Sequence, residues 1–591
     1  MYSRPRASLT FMQLSVPKLR EADTGSFPVV PEAVASWLAG LDTLNTSADA
    51  RELLRGLTHS NRLVNDLDRR RAALSLFIPP LRALHEQLMA STSAQPLPLT
   101  KDFARDATLA DALLREESLA FRLLLAASDT PREVDARRAM HALLRRAELA
   151  VHTYQKIPDE VWHEAHALYR FANEHQLEHE SGHNLSHDSA QAQIDEPASK
   201  PAEEARLEDA QAPSDDKASP SDLGSHYRLL LLLGIIDPGQ LRARQLPLLI
   251  EWLRDRAALV TVSPATPENI HLAPRGGVWL IDVERGTAPT LAGSLLVTEL
   301  LQVAAIELRD LQLETEARIR EMRMTRASLL GADVLERQTL ARLALRLGPG
   351  RINQRLHARN RSARRVECIF SHKYITSRLL HENVSHENVA DSGSTDNVAN
   401  TIPMVGRTAE RGRGGNKMTQ AGGTAHGWTV VDESPSGCRI EHPSAAPGSV
   451  QVGELVSVTD TAARRSMGQN MSMGMSNTRR DLLLGVVRHV RTRSDGSLSV
   501  GIGMLANSVM PVVISRTDEP GAAPENGLII ACRAGDATLR TILVPPFLYQ
   551  PGDRLVAAQQ GRSSQVELFR CLQLNGLFSQ YELKTVASRA A

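Results

Sequence analysis

The chain has 591 residues, with 68 Lys and Arg balanced by 68 Asp and Glu, so its formal net charge at neutral pH is zero. That length exceeds what one hydrophobic core supports and predicts roughly three or four domains. The charge balance excludes a polycationic nucleic-acid or membrane binder, so any anion site must be a local concentration of arginine.

Aromatic residues are only 4% of the chain, and the abundance of Ala, Leu and Arg favours helices over sandwiches. The first residues, MYSRPRASLTFMQL, lack the unbroken apolar core of a signal peptide. The longest apolar run, residues 229–236, falls far short of the ~18 residues a membrane span needs, which predicts a soluble cytoplasmic protein without a membrane span. Cys368, Cys438, Cys532 and Cys571 form no CxxC pair, so reduced thiols are expected rather than a disulfide framework or a zinc site.

Residues 1–180 read as an α-helical domain. In LLREESLAFRLLLAASD, Leu113, Leu119, Phe121, Leu124 and Leu125 recur at threes and fours between charges. Asp129-Thr130-Pro131 supplies a stop and a restart, with Pro131 suited to a first helical turn. Residues 181–222 are polar, rich in Pro, Ser, Asp and Glu, and cannot bury enough surface to offset their ordering entropy. They are expected to be a disordered linker. Residues 223–348 read as an α/β middle domain. Its helices HYRLLLLLGIID and QLPLLIEWLRD are separated by Asp237-Pro238-Gly239, and ALVTV and GVWLIDVERG read as strands. One long charged helix is expected over about 291–326, and another ending near Leu347-Gly348-Pro349-Gly350.

After Gly350 short β-like runs dominate, from VECIF, WTVVD and CRIEH through ELVSVTD, LLLGVVRHVR and SLSVGIGML to VELFRCLQL. Their even spacing is the signature of a small barrel or two packed barrels. The segment 381–425, with its tandem HENVS/HENVA repeat and RGRGGNK, reads as a disordered insertion. The resulting expectation is a multidomain α+β protein: helical domain, linker, α/β domain, barrel over 349–510 and a β-rich extension over 511–591.

The approach to the first strand concentrates arginine: Arg351, Arg355, Arg359, Arg361, Arg364 and Arg365. Each guanidinium fork can take phosphate oxygens or the O6/N7 edge of guanine, although a charge run alone is ordinarily a solvated surface. Downstream, Asp432-Glu-Ser434-Pro-Ser-Gly437 lies between two predicted strands. Asp432 can accept from guanine N1 and N2, and Ser434 is a small donor and acceptor; the same residues also suit an ordinary hairpin turn.

Together, Arg361-Ser-Ala-Arg364-Arg365 in the form RxxxR and the later DxSxxG resemble the binding signature of the PilZ family. Val452-Gly453-Glu-Leu455, Leu484-Gly485-Val486-Val487-Arg488 and Val500-Gly501-Ile502 resemble later strands of that barrel, and the resemblance covers about residues 350–510. It implies an antiparallel β-barrel and a non-enzymatic cyclic di-GMP receptor in bacterial surface behaviour such as motility, pili or biofilm. Arg361 and Arg365 would grip phosphates and a guanine Hoogsteen edge. Asp432 and Ser434 would hold a guanine, with Gly437 permitting the turn. The Arg segment would then order on the barrel and reorient the helical domain, through which a protein partner is expected. The sequence departs from the family pattern in the long 381–425 segment and in Cys438, where Gly is common. A scaffold with a non-binding barrel and a nucleic-acid module using the same arginines are the alternatives.

No cofactor or metal is expected besides the ligand. His175, His179, His183 and His187 recur at i+4, but Gly182 and the polar linker interrupt a helix, so they read as solvated. RGRGGNKMT lacks the GxxxxGK[ST] spacing of a phosphate loop, and no catalytic constellation is supported by spacing.

Overall fold

The computed structural model describes residues 14–21, 27, 30–41, 45–93, 95, 99–177, 222–266, 278–290, 303–324, 332–347, 358–390, 424–443, 450–460, 482–493, 495–518, 521–534, 537–559 and 562–585. Six helices build the first part: α1 (Pro31–Ala39), α2 (Thr46–Arg62), α3 (Leu67–Ser93), α4 (Lys101–Ala127), α5 (Glu133–His152) and α6 (Asp159–Glu174). Their apolar stripes face inward at helical period, so Leu113, Phe121, Leu143 and Trp162 are buried. Several of the charges buried there are paired. Arg146 Nε donates to Asp111 Oδ1 at 2.8 Å, and Arg122 Nη2 lies 2.9 Å from Glu164.

The helices α7 (Leu223–Ile235) and α8 (Gln245–Asp255) follow. Asp222 caps α7 by accepting from the Ser225 amide, the ordinary use of Asp at an N-cap. Although α7 lies beyond the segment expected as a linker, it packs into the core of the first helices. Tyr227 stacks on Tyr169 of α6 at 4.0 Å. Burial lowers the His166 pKa to about 4, keeping the ring neutral. Its Nε2 therefore donates to the Thr287 carbonyl at 2.9 Å, and its Nδ1 accepts from the Tyr227 hydroxyl at 2.8 Å. Of the segment 181–222, only Asp222 lies among the described residues.

A three-stranded antiparallel sheet in the order β1-β3-β2 comes next, formed by β1 (Thr261–Pro264), β2 (Val278–Asp282) and β3 (Val303–Glu307). The single helix expected over 291–326 is corrected here. Residues 303–307 form β3, and helix α9 begins only at Arg309 and runs to Met324. Val303 and Ile306 are β-branched and buried between two strands, so tertiary pairing overrides the helical pattern. Helix α10 (Ala332–Leu347) ends where expected.

The remaining strands form two barrels. The first contains β4 (Asn360–Arg361), β5 (Arg365–Phe370), β6 (Thr424–Ser434), β7 (Gly437–His442), β8 (Leu455–Asp460), β9 (Leu482–Thr492) and β10 (Leu498–Ala506). Their order is β4-β6-β5-β8-β9-β10-β7, and an additional β6–β7 pairing closes a ring with β4 appended. The second is a closed barrel in the order β11-β12-β13-β16-β15-β14. Its strands are β11 (Val509–Arg516), β12 (Glu525–Ala534), β13 (Ala537–Val544), β14 (Arg554–Gln559), β15 (Arg562–Leu574) and β16 (Ser579–Thr585). Helix α11 (His372–Ala390) wedges between the barrels: Ile375 joins Leu484, Val486, Leu528 and Leu543 in their shared apolar seam. The HENVS/HENVA repeat expected as disordered is thus the end of α11, and residues 391–423 lie outside the described residues.

The helical part docks on the first barrel through the segment expected only to separate two helices. Asp237 Oδ1 lies 3.2 Å from His489 Nε2 on β9, and a side chain at Gly239 would collide with His489 and the Val490 carbonyl. The Thr492 amide donates to the Tyr154 carbonyl at 2.9 Å. Arg242 Nε donates to the Val452 carbonyl at 3.1 Å, and the next carbonyl, of Gly453, accepts from Asn575 Nδ2 of the second barrel at 2.8 Å. Gly453 has φ +86°, and Arg242 occupies the space of a side chain there.

Burial raises the neighbouring Glu454 carboxyl to about 7 despite Arg242. A folded pKa above the unfolded value near 4.5 gives stability that is complete below pH 4.5 and lost as pH rises through about 7. Glu454→Gln should therefore raise stability at pH 8 by up to about 3 kcal/mol and change nothing below pH 4.5, measured by denaturant unfolding across pH.

Candidate ligand-binding face of the first barrel

The face is built by a departure from strand alternation on β6. Trp428 and Val430 point into the barrel and are fully buried. Continued alternation would turn Asp432 inward as well. A register shift between Val430 and Asp432 inserts one residue, so Asp432 pairs with Arg439 rather than with an inward neighbour. Such a bulge re-aims every later side chain. Asp432 thereby stands on the outer face, directly opposite Arg439 of β7 on one side and Arg361 of β4 on the other. Arg365 pairs with Thr429, which pairs in turn with Glu441, forming a second outer row beside the first.

The approach strand is held down along its length. The Ser362 amide donates to the Val431 carbonyl at 2.9 Å, and the Val430 amide donates to the Arg364 carbonyl at 2.8 Å. Arg364 spans Glu433 at 2.8 Å and Asp460 at 3.3 Å. Both oxygens of Asp432 are engaged: Arg359 donates to Oδ1, and Arg439 Nη2 lies 2.8 Å from Oδ2. Arg493 donates to Glu441, extending the alternating charges toward β10. Arg361 is exposed and makes no side-chain hydrogen bond or ion pair among the described residues, while Arg365 is exposed and partnered. Arg351 and Arg355 lie outside the described residues.

Arg361, Arg365 and Asp432 thus share one face. Ser434 and Gly437 are close in sequence but do different work. Ser434 Oγ donates to the Gly437 carbonyl at 3.1 Å, tying the β6–β7 hairpin together. Gly437 does not have positive φ, so the expected role of permitting a turn is corrected. It is glycine because a Cβ would run into the Ile502 carbonyl of β10. Cys438 points into the barrel, where burial pushes its thiol up to about 11; burial raises Cys368 as well, so both are inert packing groups.

Arg359 and Arg439 were not singled out for Asp432 by sequence, because their partnership depends on the bulge. The spacing WTVVD offers a signal: two adjacent Val residues precede the acid where strict alternation would place a polar residue. His175 sits at the end of α6 stacked on Phe171, and His179, His183, His187 and RGRGGNKMT lie outside the described residues. No group of metal-ligating side chains occurs among the described residues, and no described helix is long and apolar enough to cross a membrane.

The chain matches a family model described as the N-terminal domain of the cyclic-di-GMP receptor FimW over residues 32–197 and 200–267. That match covers the helical part through Arg242 and ends before the barrels. The chain is also similar to the cyclic-di-GMP receptor FimW of Pseudomonas aeruginosa, at 23% identity over 628 aligned positions, covering 97% of this chain and 93% of the relative. No solved structure matches it.

Because Gly437 serves the barrel wall, Gly437→Ala should cost more than ~2 kcal/mol. Ser434→Ala, which removes a half-buried hydrogen bond to the Gly437 carbonyl and an exposed one to Ser436, should cost about 1 kcal/mol or less. Urea unfolding of both variants measures the difference.

Proposed function

We propose that the protein is a receptor for cyclic di-GMP, bound on the outer face of the first barrel, and that it relays occupancy to a protein partner through the helical part. The observation that carries this reading is the row Arg361–Asp432–Arg439, a carboxylate suited to a guanine edge between guanidinium groups suited to phosphates. Similarity over nearly the whole chain to a cyclic-di-GMP receptor supports the same ligand.

Guanine presents paired N–H donors along one edge, and a guanidinium presents donors of the same kind. In the free protein Arg359 and Arg439 each hold one oxygen of Asp432. A guanine seated on Asp432 must therefore replace at least one of them. Arg359 is the one that yields, because its backbone lies just before β4 and outside the barrel ladder, whereas the backbone of Arg439 is fixed in the barrel wall. Arg361 and Arg365 then neutralise the phosphates, and Ser434 and Gly437 maintain the hairpin that presents Asp432. Helix α10 precedes this approach segment in the chain and is itself tied to the docking segment: Arg342 donates to the Gln240 carbonyl and Arg346 lies 3.7 Å from Asp237. The switch is an exchange of partners on an already ordered strand rather than ordering of a loose one.

Calorimetric titration of the full chain with cyclic di-GMP tests this. Arg361→Ala and Asp432→Ala should each raise Kd about tenfold or more, as expected for lost charge-assisted bonds. Arg359→Gln removes the internal competitor and should tighten binding about threefold. No heat of binding, or unchanged affinity in the first two variants, would overturn the reading. Steeply salt-dependent binding of single-stranded RNA, with no preference for the cyclic dinucleotide, would assign the face to nucleic acid.

A further inference from the structure

The interior of a six-stranded barrel is ordinarily filled by its own side chains. In the second barrel this holds at one end only, where Tyr549, Leu555, Leu568 and Tyr581 pack together and the Tyr581 hydroxyl donates to the Tyr549 carbonyl. At the other mouth a cavity of about 530 Å³ remains, within the range of small-molecule sites. Its wall is Met510, Val512, Ile529, Ala557, Val566 and Leu583. The hollow exists because Ala557 and its cross-strand partner Ser564 put small side chains where Val512 and Ile529 put branched ones.

The polar groups are confined to the same mouth. Arg540 of β13, Gln559 of β14, and Arg562 and Ser564 of β15 also line the cavity. None of these four side chains has a hydrogen bond or ion pair among the described residues. Other arginines of this barrel are matched to acids: Arg516 to Asp553, Arg554 to Glu567 and Arg570 to Glu582. Among the described residues, no carboxylate and no aromatic ring lines the cavity. Two guanidinium forks above an aliphatic hollow suit an anionic head on a hydrocarbon body, and the missing ring leaves a nucleobase nothing to stack on.

We propose that this mouth is a second ligand site, for an aliphatic anion with one carboxylate or phosphate head. Arg540 and Arg562 take the head, Gln559 and Ser564 complete its hydrogen bonds, and the chain lies against Val512, Ile529 and Val566. The site shares no residue with the arginine face of the first barrel and does not depend on that reading.

Titration of the full chain with decanoate, decyl phosphate, decanol and acetate tests it, by calorimetry below the critical micelle concentrations. At least one ten-carbon anion should bind about tenfold more tightly than decanol, and acetate should not bind. Whichever anion binds better identifies the head group. The Arg540→Gln/Arg562→Gln double variant should lose that preference, and Ala557→Leu should fill the hollow and weaken binding about tenfold. Should Ala557→Leu fold poorly, methyl NMR of the wild-type chain must instead show decanoate or decyl phosphate shifting Val512, Ile529 and Val566. No heat with either anion, equal affinity for decanol, or undiminished preference in the double variant would overturn the proposal.

Discussion

The arrangement of the molecule depends on one buried cation, Arg242. Burial and the neighbouring charges of Arg342 and Arg244 bring its pKa down to about 10, so at neutral pH it remains charged within the protein. A charge in such a place needs a compensating acceptor. The carboxylate at hand, Glu454, is itself only partly ionised near neutrality, and the acceptor supplied is the Val452 carbonyl. This fixes the backbone at Val452–Glu454 as a template read from two sides. Arg242 holds it from the helical part and Asn575 holds it from the second barrel. Glycine at 453 leaves the guanidinium room to enter. Three bodies therefore close on one turn, and the family match that spans the helical part extends through the residue that makes this contact.

On the arginine face the same physics operates in the open. Partly exposed ion pairs contribute little to stability individually, and their partners exchange at small cost. Arg359 is 32% exposed and Asp432 13% exposed, so their pairing is suited to being replaced rather than to holding the barrel shut. The barrel is held by its interior, where Trp428 lies 5.6 Å from Phe370 and 5.2 Å from His442. Separating a rigid interior from an exchangeable exterior allows the outer row to rearrange without disturbing the core.

Much of this architecture was legible in the sequence because it is written in local period. The six helices before residue 175 follow apolar spacing, and nearly every strand after 360 appears as a short apolar run between turn residues. What escaped was set by distant partners. β3 is a strand because it is sandwiched between β1 and β2, whereas its sequence VAAIE carries no strong alternation. β4 is two residues long and exists only as a neighbour of β6. On the candidate face, the sequence brought together Arg361, Arg365 and Asp432, but not the Val431 bulge that turns Asp432 outward. Gly437 was identified as a special position, yet the reason lies on β10, far along the chain.

Barrel closure has a consequence for where the protein can open. Each strand of the ring β6-β5-β8-β9-β10-β7 is hydrogen-bonded on both sides, as is every strand of the second barrel, so none can detach without breaking two ladders. β4 stands at the end of its strand order and is paired to β6 alone. Among the strands of the two barrels it is the piece whose local unfolding costs least, because it opens without exposing an apolar core. Fraying of that terminus and release of Asp432 Oδ1 by Arg359 are therefore the same event, while Arg439 keeps its hold on Oδ2. Native-state amide exchange at Asn360 and Ser362 reports directly on the population from which a ligand must select, and that population is set by a few local bonds, independently of how stable the barrels are as a whole.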